Sequence, residues 1–415
     1  MSAMLLSDYS SALKEMLLPY IQNNLPSQTI LLDQVKKNVG VNLINDEFIA
    51  PIYSSRHGGV SALANDGVNI VSSGGRDTTR GTVVPKRISG AFEISDMAIK
   101  ASQGQLAVET ALTAQTNTLL KDYSRNVNRM LYSDGVGVVS QVLGSVGAGT
   151  ASLMAPDANL DDGRSIDWYG TINGDILPNK YLASDQHVGL GTAGVAIGTV
   201  TSVTGTSIVV TGAPAIVAND SVFILDGSNT AAGTNEIQGI RAALSSSTGT
   251  STYAGVARNT VGWTPAFGSA SEALSLERMF SSYLTAQEYA DKSDKYIILV
   301  NKTLYMKYGL LLSSMRRTVN EAELLGGWKG LGFAAGGGVV GVFLDFEVPD
   351  GEVLIINLDS WTICQVGEMN WLSVGDGEPL LRLQSTTTYQ AVMIWYVNAF
   401  CLAPAANGRE TRKQD

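Results

Sequence analysis

The part of the sequence that most constrains the fold is a pair of apolar runs on either side of a short turn near the C-terminus. The first run covers 333–344 and the second covers 353–357, with Val-Pro-Asp-Gly at 348–351 between them. Pro and Gly supply the backbone angles that tight turns require, and apolar runs bounded by such turns are typical of strands. No residue type in this stretch indicates catalysis. The C-terminal part is therefore predicted to be a structural β core.

Helices and further strands surround this core in the sequence. Tyr296–Val300 is a continuous apolar run typical of a buried strand, and the pattern predicts strands at 339–344, 353–358 and 361–366. The capping-box pattern Ser269-Ala270-Ser271-Glu272 predicts the start of a helix. Two helices are predicted from apolar residues at helical spacing, the first with Leu276, Met279, Phe280, Tyr283 and Leu284 and the second with Leu304, Tyr305, Tyr308, Leu311 and Leu312. Helices mixed with strands in this order predict an α+β domain.

The longest predicted helix runs from about Gln105 to Tyr132, where apolar residues recur at helical spacing until Asp134-Gly135 ends the pattern. A shorter helix is predicted between Leu6 and Ile21 and ends before Pro26. The length of the central helix is the informative part, because any amphipathic core helix would show the same spacing.

A weakly charged segment from about 186 to 263 separates the long helix from the C-terminal domain. Thr204-Gly205-Thr206 joins two β-branched runs as a hairpin signal, and Val222–Leu225 ends at another turn signal, Asp226-Gly227. This composition predicts a small antiparallel β module inserted in the main domain.

Residues 51–90 have the opposite character, since they combine Gly and polar residues with a local excess of positive charge. The segment holds five basic residues, Arg56, Arg76, Arg80, Lys86 and Arg87, against Asp66 and Asp77. The whole chain carries a net charge of −10, which argues against a protein that holds nucleic acid electrostatically. The pattern predicts a long two-stranded arm with little core of its own, and an isolated hairpin of this kind usually lies on a partner. A loop that contacts nothing fits the composition equally well.

Motifs for chemistry are weak throughout the chain. The glycines from Gly336 to Gly341 match G-x-G-x-x-G, but a strand-like run follows where a nucleotide site needs a helix. His57 and His187 are the only histidines, and with Cys364 and Cys401 they show no metal-ligand spacing. The acidic loop Asp157, Asp161 and Asp162 lacks the EF-hand spacing. No enzyme activity, cofactor or metal is predicted, and both cysteines are predicted to be buried thiols.

The order of these features resembles that of the tailed-bacteriophage major capsid proteins, which have the Hong Kong 97-type fold. The resemblance covers nearly the whole chain and rests on the loop at 51–90, the long helix, the strand Tyr296–Val300, the helix start Asn301-Lys302-Thr303-Leu304-Tyr305 and the turn at 348–351. It divides the chain into an N-terminal arm (1–50), an extended β loop (51–100), a peripheral domain with the spine helix (101–185), the inserted small antiparallel β domain (186–264), an axial domain (265–385), and a C-terminal core strand with a polar tail (386–415).

The resemblance implies a self-assembling structural protein. Its hexamers and pentamers would form the icosahedral head around a double-stranded DNA genome, without sequence-specific DNA binding and without a membrane. The chain opens with its arm and not with a long helical extension, so scaffolding is expected from a separate protein unless such an extension has been removed. A portal and a decoration protein are further expected partners. Assembly is expected in the host bacterial cytoplasm, and the mature protein in the virion.

The resemblance also directs attention to basic residues as candidates for the subunit interface. The loop from 315 to 333 would point at the centre of a hexamer or pentamer, and the arm would overlap a neighbouring subunit. The candidate interface residues are Arg56, Arg76, Arg80, Lys86, Arg87, Arg316 and Arg317. Two alternatives remain open, an encapsulin-type compartment shell of the same fold and, from another class, a β-rich surface adhesin or sugar-binding protein.

Overall fold

The computed structural model describes residues 30–39, 43–53, 55, 57, 75, 77–96, 105–141, 149–154, 171–172, 175–176, 187–191, 196–203, 207–213, 221–225, 235–245, 252–270, 272–291, 295–314, 321–323, 329–335, 338–349, 351–372, 380–382, 387–411 and 413–414. The helices in these residues are α1 Ile30–Gln34, α2 Gln105–Tyr132, α3 Ile240–Ala243, α4 Leu276–Gln287 and α5 Lys302–Ser314. The long helix α2 therefore has the predicted bounds. The helix predicted between Leu6 and Ile21 lies outside the described residues.

The strands of the described residues are numbered in chain order. They are β1 Lys36–Val39, β2 Leu43–Ile44, β3 Glu47–Tyr53, β4 Thr78–Val83, β5 Lys86–Ser95, β6 Val138–Gln141, β7 Gly149–Met154, β8 Thr171–Ile172, β9 Asp175–Ile176, β10 His187–Gly191, β11 Ala196–Val203, β12 Ser207–Ala213, β13 Ser221–Ile224, β14 Thr252–Tyr253, β15 Val256–Ala257, β16 Ala266–Gly268, β17 Glu272–Ala273, β18 Tyr296–Val300, β19 Glu321–Glu323, β20 Lys329–Ala335, β21 Gly338–Leu344, β22 Val353–Asn357, β23 Trp361–Gln365, β24 Asn370–Trp371, β25 Leu380–Arg382, β26 Thr388–Cys401, β27 Gly408–Glu410 and β28 Lys413–Gln414.

A seven-stranded sheet forms the C-terminal core, in the order β16-β27-β22-β18-β21-β20-β19. Its central strand β18 runs parallel to β21 and antiparallel to β22, so the apolar runs predicted as strands do pair with one another. Ile298 and Val300 of β18 pack in one apolar cluster with α4 and α5, while Ile297 and Leu299 face the main core of the molecule. Both faces of this sheet are therefore covered.

The helix α4 begins later than the capping-box pattern predicts. Its N-cap is Ser275, whose hydroxyl accepts a hydrogen bond from the backbone N–H of Arg278 at 3.3 Å. The helix start predicted at 269–272 is wrong because Glu272 lies in β17, which pairs in parallel with Lys413 in β28. An extended segment held by the C-terminal residues takes the place of the first predicted helical turn.

A second sheet is built around the fourteen-residue strand β26. One edge of β26 pairs with β5, and the other pairs with β23, β24 and β25, while β1 adds in parallel to β23. The helix α2 crosses β5 closely, since the Tyr123 hydroxyl donates to the Ile88 carbonyl at 3.4 Å. A Cβ built on Gly90 would stand 3.1 Å from the Tyr123 ring and 3.3 Å from the Leu119 side chain, so glycine at this position permits the close approach.

The basic segment is not an isolated arm in its second half. The strand β4 pairs with β3, and β5 is part of the main sheet, where Val83 and Ile88 are buried in the core. The expectation of little core is therefore wrong for residues 78–95, because alternate side chains of these strands face the core. Most of the segment between 54 and 76 lies outside the described residues.

The predicted β module also has different boundaries in the structure. Its hairpin is present as β11 and β12, but the sheet β6-β13-β10-β11-β12-β7 includes strands from 138–154 as well as from 187–224. The described residues 235–245 and 252–263 belong elsewhere, because Ile237, Tyr253 and Trp263 are buried in the main core. The division into domains stays a prediction, and the strand pairing moves both ends of the module towards the N-terminus.

Candidate assembly surfaces

The predicted interface residues that the structure describes lie at the junction between β4 and β5. Arg80 of β4 stands opposite Pro51 of β3. Lys86 and Arg87 are the first residues of β5 and stand opposite Val397 and Tyr396 of β26. Arg80 and Arg87 are exposed, whereas Lys86 is half-buried and its burial lowers the pKa of the ammonium group. These three cations are therefore held on rigid strands, which orients them for a partner. Arg56, Arg76, Arg316 and Arg317 lie outside the described residues.

An exposed apolar surface covers the two helices of the C-terminal domain. Met306 and Leu310 lie one turn apart on α5 and are 60% and 66% exposed, and Phe280 and Leu284 form a similar pair on α4. Strand β20 joins the two pairs, since the rings of Phe280 and Phe333 lie 6.4 Å apart and Leu331 approaches α5 near Gly309. We call Phe280, Leu284, Met306 and Leu310 the helical patch. Clustered exposed apolar side chains mark protein-protein contact surfaces.

Sequence reasoning missed the helical patch because it assigned Phe280 and Leu284 to the core face of α4. The buried side chains of that helix are Met279, Ser282, Tyr283 and Ala286, so the buried face includes Met279 and Tyr283 of the predicted set but not Phe280 and Leu284. On α5 a signal was present, because Met306 and Leu310 make the helix apolar on the face opposite the buried Leu304. A helix that is apolar on both faces either lies inside a core or meets a partner.

The C-terminal residues form an ion-pair network whose members Glu352, Arg409, Glu410 and Lys413 are buried, while Glu272 and Arg278 at its margin are partly exposed. Arg409 in β27 pairs with Glu352, with the Arg409 Nε 2.9 Å from the Glu352 Oε2. Glu410 accepts hydrogen bonds from Ser282 and Arg278 of α4, and Lys413 lies 3.2 Å from Glu410. We call the paired groups Glu272, Arg278, Glu352, Arg409, Glu410 and Lys413 the C-terminal clasp. Arg409, Glu410 and Lys413 are therefore buried against the fold, while the division into a core strand and a polar tail stays a prediction.

Buried polar contacts of Asn128, Arg129 and Tyr132 tie the end of α2 to other parts of the subunit. Arg129 pairs with Glu236, with one nitrogen-oxygen distance of 3.0 Å, and both side chains are buried. The Tyr132 hydroxyl donates to Asp345 at 2.8 Å, just beyond the end of β21. Burial and the neighbouring carboxylates raise the pKa of Tyr132 well above its usual value, so the phenol stays a hydrogen-bond donor. These contacts connect the end of the long helix to Asp345 beside the C-terminal sheet and to Glu236.

The described residues offer little for catalysis or metal binding. No three His, Cys, Asp or Glu side chains among them are grouped to hold a metal ion. Burial raises the pKa of Cys364 to about 11 and that of Cys401 to about 12, so both thiols stay protonated near neutral pH and are poor nucleophiles. Across the described ranges, no helix has the length and apolar character to cross a membrane.

No family model and no curated protein matches this sequence. Among solved structures, the chain is similar to the capsid asymmetric unit of cyanophage A-1(L), with 12% identity and a TM-score of 0.51 over 93% of each chain. It also matches the capsid of a native GTA particle, with 9% identity and a TM-score of 0.46 over 94% of this chain and 91% of that chain. The encapsulin of the holo-SrpI complex from Synechococcus elongatus matches with 11% identity and a TM-score of 0.27 over 36% of this chain and 53% of that chain.

At such low identity the likeness to the cyanophage structure establishes the fold alone. It extends over nearly the full length of both chains, and it agrees with the α+β arrangement of long helix, two large sheets and helices α4 and α5. The chain therefore has the Hong Kong 97-type capsid fold that the order of its sequence features predicts.

Proposed function

We propose that the chain is the major capsid protein of a tailed bacteriophage and assembles into hexamers and pentamers of an icosahedral head around double-stranded DNA. The observation that carries this proposal is the likeness to the cyanophage A-1(L) capsid over 93% of both chains. The helical patch supports it, because an exposed apolar surface of this kind suits a protein that works in contact with copies of itself. In this role the chain is not an enzyme and carries no cofactor.

The charge of the chain is compatible with a container and not with a nucleic-acid reader. A net charge of −10 disfavours broad contact with phosphates, so the enclosed DNA is held by the closed wall and not by sequence-specific binding. Further partners in this proposal are a separate scaffolding protein, a portal and a decoration protein. The proposed location is the virion, after assembly in the cytoplasm of the host bacterium.

The observations favour the phage capsid over both alternative functions. The match to the encapsulin covers 36% of the chain, against 93% for the cyanophage capsid. An adhesin of mainly β structure does not account for the 28-residue helix α2 or for the helices that cover the C-terminal sheet. The phage capsid remains the proposal that uses the whole fold.

Electron microscopy of the full chain tests the proposal. The chain is produced in bacteria alone and together with the scaffolding protein encoded beside it, and the products are fractionated by size and imaged. Closed shells with hexamers and pentamers are the expected result. A chain that stays monomeric in every preparation, while its circular dichroism and melting show a folded protein, would contradict the proposed function.

Placing positive charge on the helical patch is expected to block assembly without unfolding the subunit. Met306→Lys with Leu310→Lys replaces two exposed side chains, so the free energy of unfolding should change by no more than about 0.5 kcal/mol per site. Burying two uncompensated ammonium groups in a contact is strongly unfavourable. Light scattering should therefore show a large loss of shells, while the melting temperature of the isolated subunit stays close to that of the parent.

The matched control is Lys121→Glu, which changes an exposed charge on the helix α2, outside the patch. It should assemble like the parent. Normal shell yield from the double lysine variant would show that the helical patch faces solvent in the assembly.

A further inference from the structure

The strand β5 leaves one long edge without a neighbouring strand in the described part of the chain. Its ten residues pair with β26 in one uninterrupted register, and among the described residues no second strand pairs with β5. An edge of this length exposes a row of backbone N–H and C=O groups, which can accept a strand from another chain.

The ladder shows which residues direct their backbone groups to that outer edge. The carbonyls of Val392 and Tyr396 accept hydrogen bonds from Leu372 and Val366, on the far side of β26 from β5. Residues opposite each other in an antiparallel pair both point towards, or both away from, their shared edge. The partners of Tyr396 and Val392 in β5 are Arg87 and Ala91, so the backbone groups of these two residues point to the outer edge. Every second residue of a strand points to the same edge, so Ser89 and Glu93 do so as well.

These four residues are also free to meet a partner. Their backbone groups form no hydrogen bond in the described structure, and their side chains are all exposed on one face of β5. The Glu93 carboxylate accepts one weak contact, from the Gln390 amide at 3.5 Å on the same surface. The pairing of β5 with β26 contains no bulge, and the outward-pointing residues at its centre, Ser89 and Ala91, are small. The described strand therefore has neither a bulge nor a bulky central side chain that would prevent the addition of another strand.

The sequence of this edge is complementary to itself. If a second copy of β5 lies antiparallel to the first with the two-fold axis at Gly90, Arg87 stands opposite the partner's Glu93 and Ser89 stands opposite the partner's Ala91. All four positions are hydrogen-bonded positions in both strands, so the contact gains about eight backbone hydrogen bonds. The two-fold symmetry produces the Arg-Glu pair twice, and opposite charges directly across a ladder are favourable.

We propose that two copies of this chain join edge to edge through β5 around a two-fold axis, which makes one continuous sheet across the contact. This rests on the proposed function, because a closed icosahedral shell supplies pairs of copies related by two-fold axes. The charge complementarity favours a second copy of β5 as the partner. An unrelated strand would not require that the charges of β5 match those of β5 itself.

Charge reversal tests the pairing without touching the core. Arg87→Glu alone places two acidic groups opposite each other, and Glu93→Arg alone places two basic groups opposite each other. Each single change should lower the association constant of the contact by about twofold to thirtyfold, because both pairs in the contact are affected. The double variant Arg87→Glu with Glu93→Arg restores opposite charges and should restore assembly, and this rescue is the diagnostic result.

Disulfide cross-linking tests the register directly in the full chain. Cα atoms of hydrogen-bonded antiparallel pairs lie about 5.5 Å apart, within the range that a disulfide spans. Ser89→Cys with Ala91→Cys should give covalent dimers on oxidation. Ser89→Cys with Glu93→Cys has the same number of thiols but none directly opposite, so it should give far fewer. The native Cys364 and Cys401 are buried and should contribute no background.

The outcomes separate this inference from the proposed function. Shells with covalent dimers and charge rescue support both. Shells without dimers from the matched cysteine pair overturn the β5 contact and leave the capsid proposal intact. Dimers and charge rescue without shells in any preparation support the contact and contradict the capsid. If Ala91→Pro, which removes an outward N–H, abolishes assembly but the charge swap does not rescue the single reversals, another strand occupies the edge and the proposal is wrong.

Discussion

A chain that ends at Asn407 is expected to lose the native C-terminal domain. The eight missing residues include β27, which lies inside the seven-stranded sheet between β16 and β22. Their loss also leaves Glu352 buried without Arg409, and removing one partner of a buried ion pair costs about 3–5 kcal/mol. That cost is comparable to the total stability of about 5–15 kcal/mol of many domains. Urea unfolding should show a folded fraction far below that of the full chain.

Single substitutions separate the ion pair from the strand itself. Arg409→Ala should reproduce much of the loss, while Arg409→Met with Glu352→Leu should recover stability because neither charge of this buried pair remains. Glu277→Gln on α4 is the matched control, since its carboxylate is exposed and outside the C-terminal clasp. A truncated chain with the same unfolding midpoint as the full chain would show that β27 adds nothing to the sheet.

The C-terminal clasp shows why the sequence could not reveal this part of the fold. Gly408, Arg409 and Glu410 follow the last long apolar run, and charged residues at a chain end are usually solvated. Their burial depends on Glu352 and Arg278, which are distant in sequence and meet them only after the sheet has formed. A long-range ion pair leaves no periodic signal, whereas the apolar run of β18 identifies itself as a buried strand.

Local patterns were sufficient where one face of an element meets the core. The helix α2 and the strands β18, β22 and β23 follow from apolar spacing and turn residues alone. The start of α4 could not be predicted in the same way, because two serines, Ser269 and Ser275, each precede an acidic residue that suits the first turn of a helix, Glu272 and Glu277. Only the pairing of Glu272 with Lys413 selects the second serine.

The candidate site was predictable only in part. Basic residues of the segment 51–90 mark the surface at β4 and β5, where Arg80 and Arg87 are exposed. Their role at a subunit interface stays a prediction, and so does that of Arg316 and Arg317. The helical patch escaped prediction because Phe280 and the buried Met279 are adjacent in sequence, and a rotation of one residue on a helix exchanges core and surface.

Gly239→Ala is expected to be among the most destabilising single substitutions in this chain. A Cβ built at Gly239 would stand 2.0 Å from the Leu131 carbonyl oxygen and 2.6 Å from that of Met130. These atoms belong to the backbone of the last turns of α2 and cannot rotate away, so the segment that holds Gly239 must move. The backbone at Gly239 has a φ of −88°, which any residue adopts, so the expected effect is steric and not conformational.

Moving that segment breaks contacts at both of its sides. The Arg129-Glu236 ion pair joins it to α2, and the backbone N–H of Gln238 donates to the Asn398 side chain at 2.9 Å. Overpacking alone usually costs about 1–3 kcal/mol, and disturbing a buried ion pair adds to it. We therefore expect the free energy of unfolding to fall by at least about 3 kcal/mol, measured by urea denaturation, with a matching loss of shells when the chain is produced at 37 °C.

Gly367→Ala provides the matched control, because a Cβ at Gly367 would have no atom within 4 Å. Its free energy of unfolding should stay close to that of the parent. If Gly239→Ala were as stable as Gly367→Ala, the segment at 235–245 would not lie against the end of α2 as tightly as the structure has it. The connection between α2 and the C-terminal sheet would then depend on the contacts of Tyr132 and Asn128 with Asp345, without support from Glu236.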